Sequence, residues 1–290
     1  MTFTRILTAL VLMPAVIAVV LFTSLDVVSF STFLVTTLAL WEYFALGDAI
    51  GHRAYRFWTL FCALLLVFAQ RSEAIRSSNA PTTDRTMGFT GFREMAEATS
   101  LTWIFWVFIL GLTVLTLSTR RARVEVLPSA GISSSALLLV AFPLSYAIRL
   151  DGIPTYGSRL LLFALAITWA ADTVAYFAGR AFGRSPMAPR LSPKKTWEGS
   201  MGGLLGSLLT AYAFRFWLPL TLPHLLAMAV FGNVAGQAGD LLESACKRSA
   251  GVKDSGGLLP GHGGILDRID ALILCIPAIW YYLVLVNPRM

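Results

Sequence analysis

Nine stretches of this chain are apolar and about long enough to cross a lipid bilayer: residues 6–22, 27–46, 54–70, 101–118, 131–148, 160–179, 200–220, 222–239 and 271–287. A helix rises 1.5 Å per residue, so roughly 20 residues span a hydrocarbon core of roughly 30 Å. Within lipid, backbone polar groups must satisfy one another, which helices do inside each segment. The expected fold class is therefore all-α: a polytopic integral membrane protein with about nine transmembrane helices. Composition agrees. Only 13% of residues are charged and mean hydropathy is +0.70, against roughly 25% charged in an average soluble domain. A soluble globular domain and a disordered chain are both excluded. Residues 6–22 follow a single Arg5 and lack a small-x-small cleavage site, so they read as a retained helix rather than a signal peptide. Segment 54–70 is the shortest in apolar content, with 13 residues from Phe57 to Ala69, and a re-entrant or interfacial piece is the alternative there. The cysteines, Cys62, Cys246 and Cys275, form no CxxC and are odd in number, which indicates neither a disulfide framework nor a zinc site.

Orientation follows from the positive charges. With the N-terminus inside and nine alternating spans, the inner segments hold 15 Lys and Arg and the outer segments seven, with Arg215 inside a span. This predicts N-in and C-out. It also explains the net charge of +7 without nucleic acid as a partner. The chain divides into residues 1–98, N-terminal helices with a polar outer loop at 71–98; residues 99–159, middle helices; and residues 160–290, a C-terminal catalytic part with two cytoplasmic loops. The inner loops are 180–199 and 240–270. No internal repeat is visible, which weakens an inverted-repeat transporter reading.

Carboxylates near membrane depth are costly and point to function. Glu42, Asp172, Asp240, Asp267 and Asp270 all fall toward the cytoplasmic ends of their spans. Trp169, Asp172, Ala175, Tyr176 and Gly179 share a helical face by spacing. Asp267 and Asp270 are i, i+3 and face one point if a helix begins at about Leu266. For Glu42, a buried ion pair or helix cap is as good a reading as a catalytic role. Between Gly251 and Gly264, six of fourteen residues are glycine, which lets backbone N–H groups approach an anion. Lys247, Arg248 and Lys253 flank this stretch with positive charge. In the other inner loop, Ser192-Pro193-Lys194-Lys195 reads as a rigid turn presenting two cations. Carboxylates beside cations and a glycine-rich loop suggest a Mg²⁺–polyphosphate site. Neither a Walker A nor a dinucleotide-binding pattern is present.

The run Ser244-Ala245-Cys246-Lys247-Arg248, then Lys253-Asp254, Pro260-Gly261-His262-Gly263-Gly264 and Asp267-Arg268-Ile269-Asp270, resembles the phosphatidate cytidylyltransferases, also called CDP-diacylglycerol synthases. Trp169–Gly183, Ser192–Gly199 and Gly236–Leu241 resemble the same family. The resemblance covers residues 160–270 well, and the N-terminal half only in hydropathy and at Trp41-Glu42-Tyr43. It implies that CTP and phosphatidate yield CDP-diacylglycerol and pyrophosphate with Mg²⁺. By resemblance, Asp240 and Asp267 hold the metal, with Asp270 and Asp172 in or near its shell. Lys247, Arg248 and Lys253 would bind phosphates, with Ser192, Lys194, Lys195 and Arg268 completing the nucleotide or headgroup site. His262 would contact a phosphate, move a proton or steady the loop. The implied partners are phosphatidate, CTP and the bilayer, in a bacterial inner membrane with the site facing the cytoplasm. Gly202, Gly203 and Gly206 permit close helix packing, within the chain or in a homodimer. The competing readings are a CTP-dependent polyprenol or phytol kinase and an ion-coupled transporter using Asp172 and Glu42.

Overall fold

The computed structural model of the chain describes residues 2–79, 90–119, 122–258 and 263–286. It is helical almost throughout. In chain order the helices are α1 (Thr2–Phe22), α2 (Leu25–Ala49), α3 (Arg56–Asn79), α4 (Thr90–Ser118), α5 (Arg123–Ala136), α6 (Phe142–Asp151), α7 (Gly157–Phe182), α8 (Trp197–Phe214), α9 (Leu222–Ser249) and α10 (Leu266–Val286). A π-helical turn, Leu137–Ala141, joins α5 to α6 without a break. Pro143 follows two residues after it, in the first turn of α6. Having no N–H to give the carbonyl one turn back, it is accommodated by the wider turn. The expected span 131–148 thus lies inside one continuous helix over 123–151.

Among the described residues, seven helical units are long and apolar enough to cross a membrane: α2, α3, α4, the α5–α6 unit, α7, α9 and α10. The described apolar part of α1, Leu10–Phe22, is shorter. In α8, Glu198 and four glycines dilute the apolar content. The protein is an all-α polytopic membrane protein whose exterior matches lipid. Phe22, Phe57, Leu117 and Leu285 are each at least 80% exposed. In water that surface would be prohibitive, whereas in a bilayer it costs nothing.

Two boundaries differ from expectation. α3 runs on to Asn79 and α4 begins at Thr90, so helices enter both ends of the expected loop 71–98. More consequentially, α9 continues to Ser249, ten residues past the apolar segment that ends at 239. Hydropathy marks where a helix leaves hydrocarbon, but the backbone ladder continues into the polar region. Asp240, Glu243 and Lys247 therefore sit on one face of α9, at i, i+3 and i+7, rather than in a loop.

α7 is the central element, in contact with α1, α6, α8, α9 and α10. Against α8 the packing is glycine-mediated. A Cβ at Gly203 would lie 3.1 Å from the Ala171 carbonyl oxygen, and one at Gly206 2.9 Å from that of Ala170. The small-residue stripe is thus used within the chain, by α7. A polar ladder ties α7, α8 and α9 together. Ser207 Oγ donates to the Ile167 carbonyl (3.1 Å), Asn233 Nδ2 to Ser207 Oγ (3.0 Å) and Gln237 Nε2 to Asn233 Oδ1 (2.6 Å). Ser200 Oγ completes it with Gln237 Oε1 at 2.5 Å. Inside a membrane bundle such bonds each contribute about 0.6–2 kcal/mol. They also set the rotation of α9, and so the direction in which Asp240 points.

Among the described residues the sheet content is one antiparallel hairpin, β1 (Pro186–Ala188) with β2 (Ser192–Thr196), pairing Pro186 with Thr196 and Ala188 with Ser192. It lies between α7 and α8. Thr196 caps α8, its Oγ1 accepting from Gly199 N at 3.1 Å. Glu198 reaches back to accept from the N–H groups of Arg184 and Ser185, both at 3.2 Å. Backbone N–H donors, its own first and then that of Arg184, lower the Glu198 carboxyl to about 2. A carboxyl with a depressed folded-state pKa adds stability that is complete above its ordinary value of 4.5 and is lost only as pH falls from there to about 2. The tether should hold at every physiological pH. Glu198→Gln should speed amide exchange at Arg184 and Ser185 at pH 7, and unchanged exchange would show that the carboxylate does not hold the hairpin.

Candidate active site

Most of the expected acidic residues gather between the C-terminal parts of α7 and α9, the first turns of α10 and the hairpin. Asp267, in the first turn of α10, is the most heavily bonded. Its Oδ1 accepts from Lys247 Nζ at 2.6 Å, and its Oδ2 from Gly264 N at 2.8 Å and Ser255 N at 3.0 Å. A carboxylate in the first turn of a helix is favoured by the free N–H groups there, and a cation in the last turn, where Lys247 sits on α9, by the free carbonyls. The two helix ends therefore present opposite charges to each other. The pair is largely shielded, with side-chain exposures of 11% for Lys247 and 6% for Asp267.

Lys247 has a second partner, Glu243, one turn earlier on α9. Glu243 is not among the residues expected at the site from sequence. The available signal was its spacing, three after Asp240 and four before Lys247, which only matters once α9 is known to continue. Its side chain is 4% exposed, and neither carboxylate oxygen has a hydrogen-bond partner beyond that ion pair.

Asp240 pairs with Lys195 of β2. Adjacent strand residues point to opposite faces, so Lys194 is exposed while Lys195 turns inward to Asp240. The expected pair of cations is split by the strand. Asp172 on α7 is within electrostatic reach of Asp240, Lys195 and Arg268. Asp270 is within reach of Asp240, Glu243 and Asp172. Four carboxylates from three helices, Asp172, Asp240, Glu243 and Asp270, thus share one region, with Lys195, Lys247 and Arg268 around it.

The remaining candidates lie at its margin. Arg248 donates to the carbonyls of Leu191 (3.2 Å) and Val252 (3.0 Å), which straps the hairpin to the segment after α9. Lys253 is exposed and Ser192 half-buried. His262 lies outside the described residues. Glu42 is not part of the acidic group. It is buried on α2 and accepts from Ser255 Oγ at 3.0 Å, Ile265 N at 3.0 Å and Leu266 N at 2.8 Å. It caps α10 from another helix, which decides between the two readings its position allowed.

Whether these residues suit a divalent cation can be tested on their chemistry. Their oxygens are the hard donors that Mg²⁺ prefers. The concentration of negative charge and Glu243 Oε1, which lacks a partner, are deficits that a cation would remedy. Among the described residues no three of them already converge at metal-holding spacing. The donor set fits, without a preformed cage.

Comparison with known proteins narrows the chemistry. The sequence model of the cytidylyltransferase family matches residues 3–286. The chain belongs to the cytidylyltransferase family. Among its relatives, the phosphatidate cytidylyltransferase of Bacillus subtilis is 39% identical over 157 residues, covering 53% of this chain and 58% of the relative. That of Haemophilus influenzae is 44% identical over 135 residues, covering 44% and 47%. That of Thermotoga maritima is 37% identical over 171 residues, covering 57% and 63%. The chain spans about half the length of the curated relatives it matches. As a member of the cytidylyltransferase family, the chain carries this group of acidic and basic side chains on the helices of a membrane protein.

Proposed function

We propose that this protein is a phosphatidate cytidylyltransferase. A phosphate oxygen of phosphatidate attacks the α-phosphorus of CTP, the bond from that phosphorus to the bridging oxygen breaks, and pyrophosphate leaves with the electron pair. The products are CDP-diacylglycerol and pyrophosphate. The observation that carries the reading is the joint placement of Asp172 on α7, Asp240, Glu243 and Lys247 on α9, Arg268 and Asp270 on α10 and Lys195 on β2. The names of the relatives support the same substrates.

Reactions of this kind need positioning and charge neutralisation more than covalent help. Asp240, Asp267, Asp270 and Asp172 would hold Mg²⁺, joined by Glu243. When bound, the ion supplies charge neutralisation between two anionic reactants. Lys195 and Lys247 are held by carboxylates and stand ready to exchange those partners for phosphate oxygens. Lys253 and Lys194, exposed at the margin, attract nucleotide and headgroup phosphates, and Arg248 keeps hairpin and loop together around them. No general base is required, since a phosphomonoester has its second pKa near about 6 and is largely ionised at neutral pH. The site would open to the cytoplasm of a bacterial cell, with nine spans and the N-terminus inside, as the charge bias favours.

Purified protein with phosphatidate and labelled CTP tests the activity. Label from the α position should enter lipid. Entry of the γ label instead would make the protein a lipid kinase, and entry of neither would leave no transferase. Orientation has a separate test in a cysteine-free background. Gly257 is exposed and a Cβ there meets nothing within 4 Å. A cysteine at 257 should be shielded from an impermeant thiol reagent in intact cells, and one at exposed Thr155, between α6 and α7, should react. The reverse pattern would invert the topology.

A further inference from the structure

Three donors converge on one carboxylate carried by α2, more than 200 residues away in sequence from the segment that supplies them. Ser255 Oγ approaches Glu42 Oε2 at 3.0 Å, Ile265 N approaches Oε1 at 3.0 Å and Leu266 N approaches Oε2 at 2.8 Å. Ser255 lies near the start of the segment between α9 and α10, and Ile265 and Leu266 at its end. One side chain therefore pins both ends of the stretch 256–264, in which five of nine residues are glycine. Hydrogen bonds to an ionised acceptor are roughly twice as strong as neutral ones, and this acceptor is only 4% exposed.

The surroundings are built for close approach. A Cβ at Gly256 would lie 2.5 Å from Glu42 Oε1, and one at Gly264 would collide with both Glu42 Oε2 and Ser255 Oγ. Gly263 adopts φ of +80°, a conformation that suits glycine. Side chains at 256 or 264 would hold the loop away from the carboxylate. The glycine richness of the stretch thus serves Glu42 as well as any approaching anion.

The same segment sets Asp267. Ser255 uses its hydroxyl on Glu42 and its N–H on Asp267 Oδ2, and Gly264 gives its N–H to the same oxygen. We propose that Glu42 is a positioning residue of the active site: it clasps the 255–266 segment so that Asp267 faces Lys247. The N-terminal half, which resembles the family only in hydropathy and at Trp41-Glu42-Tyr43, would then contribute an essential part of the site's shape. The proposal rests on the reading of the acidic group as the catalytic centre.

The test uses the purified full chain, with Glu42→Gln and Ser255→Ala singly and together. Gln can keep its carbonyl on Ser255 and Leu266 only by turning its NH₂ group toward the Ile265 N–H, so one bond becomes a donor–donor conflict. Hydrogen–deuterium exchange over 255–266 should quicken at least about tenfold in Glu42→Gln. The kcat for CMP transfer should fall on the order of 10–100-fold with little change in KM for CTP, as small misplacements of reacting groups do. The double variant should be little worse than the worse single, because both disturb one hydrogen-bond network centred on the same carboxylate. Unchanged exchange in Glu42→Gln overturns the clasp. Faster exchange with unchanged kcat, or additive single effects, overturns the positioning role. If Glu42→Gln fails to fold, Ser255→Ala carries the same readouts, since it removes one hydroxyl and leaves the bonds to Ile265 and Leu266. If the wild-type chain transfers no CMP, the cytidylyltransferase reading fails by itself, and exchange still decides the clasp.

Discussion

Asp267→Asn is expected to lower CMP transfer by about two to three orders of magnitude, the loss typical when a preorganised electrostatic group is removed, while the protein still inserts and folds. Asp267 makes its contacts with both oxygens: Lys247 at 2.6 Å on one, the Gly264 and Ser255 N–H groups at 2.8 and 3.0 Å on the other. Asn keeps the shape but only one acceptor. Either its NH₂ faces two backbone donors, or it faces the Lys247 ammonium. Folding should survive because Lys247 retains Glu243, so no buried cation is stranded. The rate would be measured as α-label entering lipid, with thermal unfolding in detergent as the control for folding. A variant with the wild-type rate and unchanged Mg²⁺ dependence would remove Asp267 from the site.

The second large effect separates two neighbouring lysines. Lys195→Ala should reduce kcat/KM by about 10–100-fold, in the range seen when one partner of a close charge pair is truncated. Lys194→Ala should cost about threefold or less, because an exposed cation attracts anions only through screened solvent. The difference comes from the strand: Lys195 turns to Asp240, whereas Lys194 is exposed. Steady-state kinetics of the two variants with CTP and phosphatidate decides it. Equal losses would mean that both lysines bind phosphate and that the pairing with Asp240 is incidental.

Much of this was legible without coordinates, for reasons that differ from residue to residue. Asp267 and Asp270 could be placed together because helical spacing is local and the start near Leu266 could be foreseen. Glu243 could not, because its meaning depends on α9 continuing past residue 239, and hydropathy reports lipid contact rather than helix length. Lys194 and Lys195 read as a pair because a short strand between two helices leaves almost no apolar alternation to detect. Glu42 was visible as an anomalous charge, but its partners lie beyond the reach of any local pattern.

The amino-acid sequence by itself determined that the chain lies in a membrane, that it is helical, and in which stretch acid, base and glycine are concentrated. These follow from segment length, charge content and the local spacing of acid, base and glycine, all properties of short windows. Only the tertiary structure decided which charges neutralise each other: Lys195 with Asp240, Lys247 with both Glu243 and Asp267, and Glu42 with the N–H groups that open α10. Pairing energy falls off within a few ångströms, and which groups come that close is set by helix rotation and by packing between segments up to 224 residues apart.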